Sequence, residues 1–308
     1  MRNFFAIAAS TLVLSACASA PQKSAQEAVA KPAYTEKVGA IGVEQMKVST
    51  ACPADKASEK AEWRQVVAMA SSCVKAKDFG KVETLGDWLA THASTTPWGA
   101  YYLSLAASNK KNYPRAQWML ELAMKKAPGE ALLHYELGRL HWQLGAEDAA
   151  LKSLKTAAEL NPGLADAHLI IGQVALMKED FPEARRCLEK ALAANPKDSG
   201  ALMAAASVEI KTANFEKAEQ LLVQAIGLSP RSSKARYALA SVRELNLKKI
   251  PDALQTYREL KQLSEARKLD ENLGVSLDEK IKSLEKQVSQ VNKGSQVGER
   301  QPSAQKGS

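Results

Sequence analysis

Four prolines, Pro128, Pro162, Pro196 and Pro230, stand 34 residues apart. A fixed period of this length means that one supersecondary unit is stacked on copies of itself, which few architectures other than a solenoid accommodate. Set in register, the intervals read PGEALLHYELGRLHWQLGAEDAALKSLKTAAELN, PGLADAHLIIGQVALMKEDFPEARRCLEKALAAN and PKDSGALMAAASVEIKTANFEKAEQLLVQAIGLS. Counted from Ala131, Ala165 and Ser199, a small residue recurs at Gly138, Gly172 and Ala206. Alanines recur in the second half, at Ala150 and Ala157, Ala184 and Ala191, Ala218 and Ala225, with Leu154, Leu188 and Leu222 between them. A residue without a long side chain lets two helices touch, and the large one fills the groove beside it. The proline stops the second helix and opens the turn into the next unit.

These residues resemble the tetratricopeptide repeat. The resemblance implies an all-α chain, a right-handed superhelical solenoid of helix-turn-helix repeats with a C-terminal capping helix. Five repeats are expected, at residues 97–130, 131–164, 165–198, 199–232 and 233–266. In the first, Ser104 stands in the glycine slot; the last carries one extra residue, expected in its inter-helix turn. Residues 55–96 read as a degenerate N-terminal helical pair. Ser276-Leu277-Asp278-Glu279 reads as a capping box. Leu277, Ile281, Leu284, Val288 and Val291 then form an apolar seam, either of a capping helix over 267–291 or of a short coiled coil with another chain. The polar residues 292–308 are expected to be a disordered tail.

The N-terminus speaks to compartment. Arg2 precedes an apolar run from Phe4 to Val13, too short to span a bilayer as a helix, so residues 1–16 read as a signal peptide. Leu14-Ser15-Ala16-Cys17 resembles the lipobox of bacterial lipoproteins, which implies lipidation at Cys17 and membrane affinity from acyl chains alone. The other reading is an ordinary secretory signal cut after Ala18 or Ala20. Ala18, where an aspartate marks inner-membrane retention in such lipoproteins, implies the periplasmic face of the outer membrane. Residues 17–54, rich in Ala, Ser, Lys, Gln and Pro, read as a flexible tether with a span on the order of 30–35 Å. Of the remaining cysteines, Cys52 and Cys73 either pair or stay free, and Cys187 lies mid-helix as a small hydrophobe.

The formal charge is +8, but basic and acidic residues alternate along the body as on solvated helix faces. No clustered Lys/Arg run with interleaved aromatics points to nucleic acid.

One stretch imitates a catalytic helix. Leu132 to Gly145, LLHYELGRLHWQLG, holds two of the four histidines. His134 and His141 are seven residues apart, about 10.5 Å along a helix, whereas a zinc pair needs the i, i+4 spacing. His134 and His168 occupy the same slot of successive units, about 10 Å or more apart. All three read as packing or half-exposed residues, and His92 stands alone. No G-x-S-x-G, P-loop or G-x-G-x-x-G is present. The pairs Glu147-Asp148 and Glu179-Asp180 fall in inter-helix turns, where they favour the next helix N-terminus. The expectation is no enzyme, no metal and no cofactor.

In the family, first helices line a concave groove for an extended peptide or a partner's helix. Its groove places fall here on Trp98, Tyr101, Leu105, Leu132, Tyr135, Arg139, Asp166, Leu169, Gln173, Met203, Ser207, Tyr237 and Ser241. The Lys/Asn clamp that some members use on a C-terminal carboxylate is absent, with only Arg139 to serve. An apolar-faced protein segment is therefore expected, unless the chain's own tether or C-terminal helix fills part of the trough. Lipobox plus repeats resembles the pilotins that assist type IV pilus secretins. Other expectations are an adaptor in cell-wall, outer-membrane or gliding-motility assemblies, or a periplasmic enzyme or carbohydrate-binding module with an unrecognised site.

Overall fold

The computed structural model describes Cys52 and residues 57–266, 268–270 and 276–298. The stretch expected to be a signal peptide, Cys17, most of the expected tether and residues 299–308 lie outside the described residues. The described residues form thirteen α-helices and no strand. They are α1 (Trp63–Lys75), α2 (Phe79–His92), α3 (Trp98–Asn109), α4 (Tyr113–Lys126), α5 (Ala131–Gln143), α6 (Glu147–Leu160) and α7 (Ala165–Met177). Then come α8 (Phe181–Ala194), α9 (Ser199–Lys211), α10 (Phe215–Leu228), α11 (Ser233–Ser241), α12 (Ile250–Glu265) and α13 (Leu277–Gly298).

The helices pack as consecutive pairs, and the same hydrogen-bonded turn closes the first five of them. In the first turn, Lys77 takes a positive φ and the Asp78 amide donates to the Cys73 carbonyl at 2.9 Å. Asn112 to Ala107, Ala146 to His141, Asp180 to Ala175 and Asn214 to Glu209 repeat the bond at 2.8–2.9 Å. This is the Schellman ending, whose left-handed residue reverses the chain. Those residues are Lys77, Lys111, Gly145, Glu179 and Ala213, 34 apart, then Lys248. The next residue starts the second helix: Asp78, Asn112 and Asp180 cap it by accepting the amides of Lys81, Arg115 and Glu183.

The N-terminal pair carries this turn in the same register, so it is a full unit. Its motif agreement is weak because large and small residues are exchanged. Val82 and Leu89 fill the alanine slots, and Gly86 stands where the others have leucine. Leu103 of the next unit occupies the space above Gly86, 3.1 Å from where a Cβ would lie. In the regular units Ala150, Ala157, Ala184, Ala191, Ala218 and Ala225 are buried, as are Leu154, Leu188 and Leu222.

Two expectations need correcting. The extra residue of the last unit is not in the turn: it enters the end of the first helix as a π turn over Val242–Asn246, with Leu247 N–H on Val242 O at 3.0 Å. Widening one turn leaves the closing reversal at Lys248 intact. The polar residues 292–298 continue α13 as helix, since extending a formed helix costs far less than nucleating one.

Leu277, Ile281 and Leu284 of α13 are buried against a cluster holding Leu254, Tyr257 and Leu260 of α12. Through these three residues and Val288 the apolar seam faces the solenoid. At the other end, Cys52 is joined to Cys73 of α1 by a disulfide. Between the first two units, the Tyr102 hydroxyl donates to Val67 O at 3.0 Å and bonds Ser71 Oγ at 2.6 Å.

Candidate partner-binding groove

Each second helix packs against the first helix of the next unit, and α7 also meets α9, so equivalent slots recur along the stack. The structure places the expected groove residues at such slots but treats the two ends differently. Tyr101, Leu105, Leu132, Tyr135, Arg139, Asp166 and Leu169 are buried. Trp98, Gln173, Met203, Ser207, Tyr237 and Ser241 are half-buried. Trp98 packs edge-on against Tyr101, with ring centroids 5.8 Å apart.

Arg139, the one cation expected to grip an acidic ligand, is held within its own helix. Its Nε and terminal nitrogen contact Glu136 Oε2 at 2.7 and 2.6 Å, and both side chains are buried. The pair is three residues apart, so a carboxylate ligand would compete with Glu136 for the guanidinium. Sequence reading missed Glu136 and also Trp142, which lies three residues beyond Arg139 and is buried. Trp142 Nε1 and Gln173 Oε1 are buried without a hydrogen-bond partner among the described residues.

The histidines do structural work. His134 Nε2 lies 2.8 Å from Pro128 O, and His168 Nε2 lies 3.1 Å from Pro162 O. In the last unit Arg236 bonds Pro230 O from the same slot. One position thus clamps the turn between units. Burial pushes the His168 imidazole below its ordinary value, against the bond to Pro162. Its Nδ1 has no partner among the described residues. His141 is likewise lowered by burial, opposed by the Glu121 charge. His92 stacks on Trp88 at the surface.

A polar knot ties the fourth and fifth units. Arg185 of α8 reaches both oxygens of Glu209 on α9 at 3.1 and 3.0 Å. Asn214 and Lys217 add contacts at 2.8 and 2.9 Å. Burial of Glu209 favours its neutral form, but the bonds from Arg185, Lys217 and Asn214 outweigh this and hold the carboxyl at about 2. The next junction uses the same two slots with the charges exchanged: Glu219 of α10 contacts Arg243 and Lys249 at 2.7 and 2.6 Å.

Among the described residues no group of three or more His, Cys, Asp or Glu side chains could hold a metal ion. None of their helices is long and apolar enough to cross a membrane.

Paired helices stacked in register, with aligned first helices, define a helical-repeat scaffold. The repeat is the tetratricopeptide repeat: family models of that description match residues 101–165, 135–199 and 175–242. The chain is an all-helical tetratricopeptide-repeat array, a scaffold for protein–protein interaction. No curated protein sequence matches it. Among solved structures it is similar to PilF of Pseudomonas aeruginosa, at 13% identity and a TM-score of 0.60, covering 65% of this chain and 91% of that one. It is also similar to a chain of the APC/C hetero-tetramer Cut9–Hcn1, at 18% identity and a TM-score of 0.59, covering 72% of this chain and 43% of that one. The MamA protein matches at 19% identity and a TM-score of 0.50, covering 57% of this chain and 96% of that one. At these identities the likeness is one of fold.

Proposed function

We propose that this chain is a lipid-anchored scaffold on the periplasmic face of the outer membrane, holding a protein segment against the C-terminal half of its concave face. The observation that carries the binding reading is the half-buried row Gln173, Met203, Ser207, Tyr237 and Ser241 on three consecutive first helices. It offers thioether and aromatic surface with small hydroxyls beside it, suited to an apolar face of an extended segment or amphipathic helix. The Leu14–Cys17 lipobox supports the anchor. Lipobox, repeats and the PilF-like fold together favour assistance to a pilus secretin or a similar envelope complex.

The decisive experiment is photo-crosslinking and affinity capture from solubilised envelopes, with the full chain and with Met203→Glu/Tyr237→Ala. One protein is expected to be captured by the natural chain and lost with the double variant. Identical capture profiles would falsify the groove reading. The anchor is tested separately by labelling with a radioactive fatty acid, which Cys17→Ser should abolish.

A further inference from the structure

Ion pairs tie the closing turn of one unit to the second helix of the unit before it, as Lys110 to Glu83 at 2.6 Å and Lys178 to Asp148 at 2.8 Å. Successive turns are therefore neighbours, and the charge they carry is uneven. Lys75, Lys77 and Lys81 surround the first turn, and Lys110, Lys111 and Arg115 the second. The acids there are Asp78, 3.7 Å from Lys81, and Glu83. Six cations less two acids leave an excess of four positive charges. All of the cations but Lys81 are exposed. At the next two turns the sign reverses, with Glu147, Asp148, Glu179 and Asp180 against Lys178. The reversal itself does not ask for lysine, since Gly145, Glu179 and Ala213 fill the slot of Lys77 and Lys111. Trp118 keeps 59% of its surface exposed on α4, one helical turn from Arg115. Its slot holds Lys152, Arg186 and Gln220 in the following units, so packing does not ask for an indole.

We propose that this basic edge, together with Trp118, docks the folded body on an anionic phospholipid surface. The proposal goes beyond the anchor read from Leu14–Cys17 and does not need it. Clustered lysine and arginine side chains are drawn to anionic headgroups, each strengthening the partition about fivefold. An exposed indole settles at headgroup depth, where its apolar ring leaves water and its N–H keeps a polar partner. An acidic protein would answer the cations alone, whereas a bilayer answers both the cations and the indole. Long lysines on a turn edge also suit a fluid surface, which demands no fixed partner geometry. Contact stays at headgroup depth, because no described helix is long and apolar enough to cross a membrane. The same surface repels the acidic turns at Glu147-Asp148 and Glu179-Asp180. The first two units are then the ones held down, and the half-buried row from Gln173 to Ser241 stays clear for a partner.

The test uses the full chain with Cys17→Ser, so that no acyl chain contributes, and vesicles of phosphatidylethanolamine and phosphatidylglycerol in equal parts. Vesicles of phosphatidylcholine alone report what the apolar run Phe4–Val13 adds. Co-sedimentation should show binding to the anionic vesicles at least tenfold tighter than to phosphatidylcholine. Lys75→Gln/Lys111→Gln should weaken partition into the anionic vesicles about thirtyfold. Lys190→Gln/Lys197→Gln removes the same charge from exposed sites on and after α8 and should change it less than threefold. Equal losses in the two double variants, or equal binding to both kinds of vesicle, overturn the proposal. As an independent readout, brominated phosphatidylglycerol should quench tryptophan emission at least threefold less in Trp118→Phe than in its parent, and the same quenching in both also overturns it. Binding to soluble polyglutamate with none to the vesicles overturns it in favour of an acidic protein. The two readings fail separately. Loss of vesicle binding with fatty-acid labelling and partner capture intact removes only this inference. Vesicle binding that persists in a chain that captures nothing removes only the proposed function.

Discussion

Gly138 lies so close to Leu154 that a Cβ on the glycine would sit 2.6 Å from the leucine Cγ and 3.1 Å from the Ala150 carbonyl oxygen. Gly172 and Leu188 repeat the contact at 2.7 Å. The two helices of a unit meet where one of them has no side chain.

Substitution to alanine should therefore have opposite signs at different glycines. At Gly138 the clash outweighs the gain in helix propensity, and Gly138→Ala is expected to cost about 1–3 kcal/mol. Gly227 is also helical but has nothing within 4 Å of its Cβ position. Gly227→Ala should instead stabilise by about 0.5–1 kcal/mol. Thermal unfolding of the two variants beside the natural chain reads both; equal shifts would contradict the close-approach argument.

The left-handed turn residues make a second contrast. Gly145 has φ +76° and open space at its Cβ, whereas Glu179 holds φ +59° with a full side chain. Gly145→Ala should lose about 1 kcal/mol, since alanine resists that conformation. Glu179→Gly should gain on the order of 0.5 kcal/mol, the relieved strain exceeding the added freedom of the unfolded chain. Denaturant midpoints at matched slopes measure these differences.

Glu209 gives the array an acid-sensitive joint. Its folded value of about 2 lies below the ordinary 4.5, so the unfolded chain binds the proton more readily. The contribution is present above the unfolded value and disappears as pH falls towards the folded one. Glu209→Gln should cost about 2 kcal/mol near neutrality, the scale of a charged hydrogen bond. The gap between variant and natural chain should close on acidification from about pH 5 to pH 2. A gap independent of pH would mean that packing, not charge, sets the cost.

His168 works in the same direction at higher pH. Burial lowers its folded value below the ordinary 6.5, so its support is full above that value and is lost as pH falls through the folded one. His168→Gln keeps a donor for Pro162 O without a titrating ring. It should remove the part of the stability loss that natural protein shows as pH falls below about 6.5. Chemical denaturation at several pH values reports this; an unchanged profile would place the titration elsewhere.

The regular units were legible in sequence because packing there depends on residue size at fixed places: Gly138 with Leu154, Gly172 with Leu188. The first unit was less so, because Gly86 and Leu103 trade the sizes across a unit boundary, and a motif counts only within one unit. The extra residue near Asn246 was visible as a count, but a count does not say whether a loop or a helix absorbs it. Thirteen groove positions followed from their slots, yet their accessibility did not. Tyr135 is buried and Tyr237 half-buried at equivalent slots, and Arg139 is taken up by an ion pair with Glu136 that no slot specifies.

The two ends of the stack are closed by sequence that does not repeat. Leu277, Ile281 and Leu284 cover the last helix pair, while Cys52, Ala57, Ala61 and Trp63 pack on the core at the first. A row of like units with a bare end is a seed for polymerisation, because each end matches the opposite end of another copy. Here both ends are covered, so the stack offers no bare helix pair on which a second copy could continue it.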